Sequence, residues 1–275
     1  APMTAEDVRR LGLLKGRHLG APAVVFGNGW SLRQYAGFRL KPGLVGIGVN
    51  FSPQIIEAPY HVHYDWVSRA PDDYRGVRVG PVSLAKYLEP GQDRGILALG
   101  STWWRENISP VPNVVSHQSG ISGIELAAFM GCRPIYLIGF DGNQEGAEGH
   151  FYGSKPAAPG LTGIHNVWIS YFRAYHPEVA IIQTNPRAAI HGSEGGDASA
   201  VLFPPEDDAP RPKPLLVGAA FGSTSLDFEN FDPEVRIQSE PFRHAVVEGF
   251  FPPTLLASAS DLVDEEVRPG AASER

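Results

Sequence analysis

The chain has 275 residues, of which 43% are hydrophobic and 19% are charged, a composition typical of a globular protein with a sizeable core. No apolar run approaches the roughly 18 residues of a membrane span, and residues 1–10 lack the apolar stretch of a secretory signal, which favours a cytoplasmic protein. The formal net charge is −7, but residues 205–275 hold 14 acids and 6 bases. Residues 1–204, with 16 acids and 17 bases, therefore lack the basic surface of a nucleic-acid-binding protein, and DNA or RNA is disfavoured as a partner.

Short apolar runs alternate with helical patterns along the chain. Thr4 to Asp7 has the form of a capping box and predicts an opening helix, a second capping box at Ser122 predicts another, and residues 167–175 predict a third. The runs that predict buried strands are 23–26, 44–49, 62–64, 96–99, 114–115, 135–138 and 179–182. This alternation predicts a Rossmann-like α/β fold, with a mostly parallel sheet and helices on both faces.

A segment rich in proline and acid begins at Pro204 and predicts a domain boundary. We expect a Rossmann-like nucleotide-binding domain over residues 1–204. Residues 205–275 form an acidic linker and a small C-terminal appendage of unassigned role. The single cysteine, Cys132, lies in an apolar stretch and is expected to be a core thiol.

The first candidate site follows the first predicted strand, where Gly27-Asn28-Gly29 leads towards Ser31. Glycines permit close backbone approach, so amide groups and a helix N-terminus can point at a phosphate, although an ordinary tight turn needs the same glycines. Asn50 and Asp65 follow the next two strands and are predicted to lie at the same sheet edge. A turn-forming role for the asparagine and a helix cap for the aspartate are the alternatives.

Further polar groups follow later elements of the chain. Ser119 and Gly120 precede the second predicted helix, where they are placed either to bind an anion or to cap the helix. Asp141 follows the apolar run from Ile135 to Phe140, and the glycine-rich loop after it carries His150 and Tyr152. These groups suit acid-base catalysis and stabilisation of a leaving group, and solvation of a surface loop is the alternative. Histidines 61 and 63 share one side of a strand, but two histidines without a third ligand are a weak signal for metal.

The sequence resembles two related groups of proteins at four places, which are Gly27-Asn28-Gly29-Trp30-Ser31-Leu32, Asn50, Ser119-Gly120 and the segment from Ile135 to Asp141. One group is the bacterial lipooligosaccharide sialyltransferases. The other is the MptE-like family, which is named for a 6-hydroxymethylpterin pyrophosphokinase and has uncharacterised bacterial and phage members. Both groups use nucleotide phosphates, and the resemblance covers about residues 22–190.

The resemblance implies roles for single residues. From the sialyltransferases, Gly27, Asn28, Gly29, Ser119 and Gly120 would bind the nucleotide. Tyr152 and His165 are the nearest counterparts of the groups that serve the departing phosphate and act as base. The MptE-like proteins place a histidine where His150 stands, and phage relatives have an asparagine where Thr184-Asn185-Pro186 stands.

Three hypotheses follow for function. The first is a transferase, expected to be a glycosyltransferase, that uses a CMP- or UDP-sugar donor with His150 or His165 as base. The second is an MptE-like pyrophosphokinase that uses ATP, with Mg²⁺ held by Asp65 and Asp141. The third is a nucleotide-binding or structural protein without catalysis. The acceptor is not predicted, no metal ligand is assigned outside the second hypothesis, and a homo-oligomer is compatible with all three.

Overall fold

We describe the protein from a computed structural model. The structure describes residues 3–64, 74–87, 95–109, 118–142, 150–151 and 161–204, together with the backbone of two strands beyond residue 234. The chain divides into two compact units, Ala1–Phe221 and Gly222–Arg275. The domain boundary predicted after residue 204 stays a prediction.

An eight-stranded parallel sheet forms the first unit, in the order β6-β5-β4-β3-β1-β7-β8-β9. Its strands are β1 (Ala23–Phe26), β3 (Val45–Val49), β4 (Tyr60–Val62), β5 (Val77–Pro81), β6 (Ile96–Leu99), β7 (Ile135–Ile138), β8 (Ile181–Gln183) and β9 (Glu194–Gly195). A small antiparallel pair joins β2 (Arg39–Leu40) to β10 (Leu202–Phe203). In the second unit, β11 (Val235–Gln238) pairs with β12 (His244–Val247).

Helical segments cover both faces of the sheet, as the sequence predicts. The α-helices are α1 (Ala5–Gly12), α2 (Thr102–Asn107), α3 (Ser119–Phe129) and α4 (Leu161–Tyr175), and the shorter 3₁₀ helices span Trp30–Tyr35, Ser52–Gln54, Val82–Tyr87 and Ala198–Ala200. Side chains alternate along the strands, so Val25 packs in one core with α1, α3 and α4, while Val24 and Phe26 pack in a second with Leu32 and Val201. The Rossmann-like α/β fold is therefore confirmed.

Most predicted strands lie where the sequence places them. Three runs, 23–26, 96–99 and 135–138, match strands residue for residue, because four apolar residues between turn-forming residues leave little freedom in the bounds. The run at 62–64 is wrong in its bounds, since the strand is Tyr60–Val62. The run at 114–115 lies outside the described residues.

The predicted start of α3 needs correction. The sequence places the helix N-terminus at a capping box on Ser122, whereas the helix starts at Ser119 and its N-cap is Gln118. Ser122 and Glu125 are instead fully buried inside the helix. The capping box at Thr4 is confirmed, because its hydroxyl accepts the Asp7 amide and the Asp7 carboxylate accepts the Thr4 amide.

Cys132 is buried with 1% of its surface exposed, as expected of a core thiol. Among the helices of the described residues, none has the length and apolar character needed to cross a membrane.

Candidate functional site

The order of the strands marks one place on the sheet where a ligand is expected. From β1 the chain proceeds outward on one side through β3, β4, β5 and β6, and it then returns to lay β7 against the other side of β1. The adjacent strands β1 and β7 thus form the topological switch point. In open α/β sheets, ligands bind in the crevice beyond the carboxyl ends of the strands at this position.

A cleft is present at this switch point. Its cavity volume is about 110 Å³, which is less than the roughly 300–1,000 Å³ common for sites that enclose a whole small molecule. Its lining comes from the ends of β1, β3 and β7, the start of α3 and one face of α4. The lining residues are Gly27, Asn28, Gly29, Val49, Asn50, Gln118, Ser119, Gly120, Gly139, Phe140, Asp141, Gly142, His150, His165 and Ile190.

The cleft brings together most of the residues predicted from the sequence. Of the twelve candidates, the loop after β1, Asn50, the start of α3, Asp141 and the two histidines line it. Ser31 is buried beside it and is absent from its lining. Asp65 and Tyr152 lie outside the described residues.

Two amide groups of the glycine loop, those of Gly27 and Gly29, donate to carbonyl groups within the protein. The Gly27 amide donates to the Ile138 carbonyl at 2.8 Å, and the Gly29 amide donates to the Gly139 carbonyl at 2.7 Å. These bonds extend the pairing of β1 with β7 past the strand ends. The loop therefore forms a wall of the cleft, but these two amides are engaged with carbonyl groups.

The glycines of this loop allow the loop after β1 to pack closely against the loop after β7. A β-carbon on Gly29 would lie 2.5 Å from Oδ2 of Asp141 and 2.6 Å from the Gly139 carbonyl oxygen, and one on Gly27 would strike the same carbonyl. Gly29 has a φ of −62°, which any residue adopts. Glycine is thus required at position 29 for space and not for its conformational freedom.

Asp141 joins three segments of the chain. Its carboxylate is 1% exposed, and it accepts the Ser31 amide at 2.6 Å, the Ser31 hydroxyl at 2.5 Å and the side-chain amide of Asn185 at 2.8 Å. A buried carboxylate is stable only when donors satisfy it in this way. Ser31 and Asp141 thus bind each other, and their predicted roles in nucleotide binding and in catalysis stay predictions.

The two asparagines of the cleft also support its shape. The side-chain carbonyl of Asn28 accepts the Phe51 amide at 3.2 Å, and its backbone carbonyl accepts the Phe151 amide at 2.9 Å. Asn50 has a φ of 49°, a left-handed conformation that asparagine tolerates better than most residues. Its carbonyl lies 2.7 Å from Nε2 of His61, so this histidine fixes the turn after β3.

The start of α3 provides the part of the cleft best suited to an anion. The first amides of an α-helix have no partner inside the helix and carry the positive end of its dipole. Gln118 makes no side-chain cap, and the first turn of α3 contains no acidic residue. The Ser119 hydroxyl, on a residue 7% exposed, adds a donor beside these amides.

Two histidines, His150 and His165, line the same cleft. His165, 5% exposed on α4, packs its ring edge-on against Phe140 with centroids 6.3 Å apart. A β-carbon on Gly120 would lie 3.2 Å from its Nε2, so His165 lies beside the first turn of α3. His150 pairs with Gly29 in an isolated antiparallel bridge. Burial lowers the pKa of His150, and a hydrogen bond to the Asn28 backbone opposes this only in part, so the ring is neutral at neutral pH.

Some lining residues carry no sequence signal for a site. Gln118 reaches the cleft as the N-cap of α3, and Ile190 reaches it from the loop after β8. An isoleucine in a loop is usually interpreted as a minor packing residue, and only the crossover of the chain after β8 brings it to this edge.

Comparison of the chain with protein-family models, with curated proteins and with solved structures finds no match in any of the three. The resemblance to sialyltransferases and MptE-like proteins therefore stays a prediction from the motifs.

Proposed function

We propose that this protein is a transferase that binds a nucleotide-activated donor, a CMP- or UDP-sugar, in the cleft between β1 and β7. One observation carries the proposal: the first turn of α3, which no side chain caps, and the Ser119 residue both line the cleft at the topological switch point. This is the combination by which Rossmann-like folds bind the phosphates of nucleotides.

The two histidines have different positions and are assigned different steps. An acceptor hydroxyl attacks the anomeric carbon of the sugar, a new carbon–oxygen bond forms, and the bond from that carbon to the phosphate oxygen breaks. His150, neutral because burial lowers its pKa, accepts the proton of the attacking hydroxyl. The nucleotide leaves with the electron pair, and its phosphate is stabilised by the amides of Ser119 and Gly120 and by His165.

The pyrophosphokinase hypothesis has weaker support from the same geometry. It requires Asp141 and Asp65 to hold Mg²⁺, as carboxylates do in phosphoryl-transfer enzymes. Both oxygens of Asp141 already accept hydrogen bonds from Ser31 or Asn185. In the described part of the chain, no group of three or more potential metal ligands comes together.

A thermal-shift panel tests the proposal with CMP, UDP, GDP, ADP and ATP, each with and without Mg²⁺. A ligand at 100 times its Kd stabilises the folded state by about 2.7 kcal/mol, which raises Tm by several degrees for a chain of this size. We expect CMP or UDP to stabilise the protein without Mg²⁺. Stabilisation by ATP alone, and only with Mg²⁺, would favour the pyrophosphokinase.

Two serine variants test whether the nucleotide binds at the start of α3. Ser119→Ala removes the hydroxyl beside the start of α3 and is expected to weaken nucleotide binding by roughly tenfold, the usual worth of a hydrogen bond to a charged group. Ser170→Ala is the matched control, because Ser170 is exposed on α4 and its hydroxyl donates only to the Asn166 carbonyl of its own helix. Equal nucleotide affinity in the two variants would contradict the site.

A further inference from the structure

Helix α4 carries a second apolar face that the described residues leave exposed. Ile164, Val167, Tyr171 and Tyr175 are between 43% and 53% exposed. We call these four residues the α4 stripe. Their spacing of three, four and four residues places them along one line of the helix, so they form a continuous stripe and not scattered surface contacts.

The helix has three distinct faces. At about 100° per residue, the buried residues Trp168, Ile169 and Phe172 form one face. The α4 stripe borders it, and Arg173, the only charged residue of α4, points almost directly away from the stripe. A surface helix normally needs one apolar face to pack on its own core. The α4 stripe is therefore an additional apolar surface, of the kind that marks an interaction site.

The sizes of the side chains indicate what packs on this stripe. The two aliphatic residues, Ile164 and Val167, lie in the first half of α4, and the two large ones, Tyr171 and Tyr175, lie in the second half. An antiparallel copy of α4 places Ile164 opposite Tyr175 and Val167 opposite Tyr171, so that each small side chain meets a large one. A parallel copy would set large against large.

The absence of charged residues on the α4 stripe is compatible with packing against a second copy of the chain. A two-fold interface places the same surface patch of both copies face to face, so a net charge on that patch would repel its equivalent. The α4 stripe has no charged residue, and Arg173 lies on the far side of the helix.

We propose that the α4 stripe forms a homodimer interface, in which α4 of one protomer packs antiparallel against α4 of a second copy. Only four half-exposed side chains of each copy form the interface, so it is smaller than the roughly 1,200–2,000 Å² of stable complexes. We therefore expect a weak, concentration-dependent dimer. Because His165 lies on the buried side of the same helix, dimerisation braces the wall of the cleft.

Sedimentation-velocity analysis of the full chain between 1 and 200 µM tests the dimer. We expect a concentration-dependent shift from 29.7 kDa towards twice that mass. Tyr171→Arg places a cation in the stripe and is expected to leave a monomer at every concentration, whereas Arg173→Glu changes a charge on the opposite side of α4 and is expected to dimerise like the parent. A parent chain that stays monomeric at 200 µM would overturn the proposal, as would equal dimerisation of both variants.

Engineered cysteines test the direction of packing and do not depend on folding of a charged variant. The native Cys132 is buried and should not interfere. We expect Val167→Cys and Tyr171→Cys proteins to form little disulfide dimer separately and to form a mixed disulfide when combined under mild oxidation. Efficient dimers of Val167→Cys alone, with no mixed product, would show parallel packing and contradict the antiparallel interface.

Discussion

At the scale of single residues, the cleft depends on a few atoms that approach each other closely. Gly29, Gly139 and Asp141 occupy one volume in which no additional carbon fits. The sequence shows that Gly29 is special, but it suggests a ligand as the cause. Only the placement of β7 beside β1, a long-range contact, reveals that the neighbour is Asp141.

We predict that Gly29→Ala destabilises the protein, because its β-carbon would be 2.5 Å from the Asp141 carboxylate and 2.6 Å from a backbone carbonyl. Overpacking of this kind typically costs about 1–3 kcal/mol. Chemical denaturation in urea measures the loss in the free energy of unfolding.

Gly163→Ala is the matched control for that substitution. Gly163 lies in α4 with nothing within 4 Å of the added carbon, so this variant should gain about 0.5–1 kcal/mol from helix propensity. If Gly29→Ala keeps the stability of the parent and loses only nucleotide binding, the phosphate interpretation of the loop is correct and the packing interpretation is not.

We predict that His150→Ala lowers turnover by roughly 10²- to 10⁴-fold, the usual worth of positioned general-base catalysis, with little change in nucleotide affinity. His191→Ala, at an exposed histidine outside the cleft lining, is the control and should remain active. His165→Ala should weaken binding of the nucleotide product as well as turnover. Steady-state kinetics together with calorimetric titration of the product separate these effects.

The pH dependence of kcat/KM is a second test of His150 as the general base. A base must be deprotonated, and burial lowers its pKa, so kcat/KM should hold down to below pH 6.5, the usual value for histidine, and fall only under more acidic conditions. An acid limb centred well above pH 6.5 would contradict this role for His150.

At the scale of secondary-structure elements, the sequence predicts strands better than helix ends. The strand cores at 23–26, 96–99 and 135–138 follow from local apolar runs, whereas the start of α3 does not follow from its capping-box pattern. Glu125 matches the pattern, but its carboxylate is fully buried and accepts the Trp104 indole at 2.8 Å and the Ser109 hydroxyl at 2.6 Å. These tertiary contacts join α3 to α2 and override the local cap, and no local pattern predicts them.

We predict that stability depends on pH through Glu125. Burial raises the pKa of Glu125 from 4.5 to about 7, against the opposing effect of its hydrogen bonds with Ser109 and Trp104. The folded state therefore holds a proton that the unfolded state releases above pH 4.5, so this contribution is fully present below pH 4.5 and is lost as the pH rises through about 7. The contribution of Glu125 to the free energy of unfolding that is lost in this way is on the order of 3 kcal/mol.

The variant Glu125→Gln keeps the shape of the protonated side chain and removes its titration. Its free energy of unfolding, followed by urea titration from pH 5 to pH 8, should decline less with rising pH than that of the parent. Parallel pH profiles of the two proteins would show that Glu125 is ionised in the folded state over this range.

At the scale of the whole molecule, the order of the strands determines where chemistry can take place. Ser119, Asp141, His150 and His165 are far apart in the sequence, and the crossover from β6 through α3 to β7 brings them to one edge. The sequence predicts this common edge from the rule that parallel strands end together. It does not predict which side chains face the ligand and which bind each other, because that division depends on contacts between distant loops.

A second cleft is the alternative binding site for an anionic ligand. It is lined by Arg39, Lys41 and Arg75 together with Glu57, in segments that precede β3, β4 and β5 or adjoin them. It therefore lies at the amino-terminal edge of the sheet, away from the switch point. An anion attracted only by positive charge would go there.

The most direct test of the central claim is a crystal structure of the protein with the nucleotide that stabilises it most. We expect a phosphate within hydrogen-bond distance of the Ser119 and Gly120 amides, with His165 beside it and His150 facing the reactive end of the donor. A nucleotide bound instead between Arg39 and Arg75, with the cleft at the start of α3 empty, would contradict it.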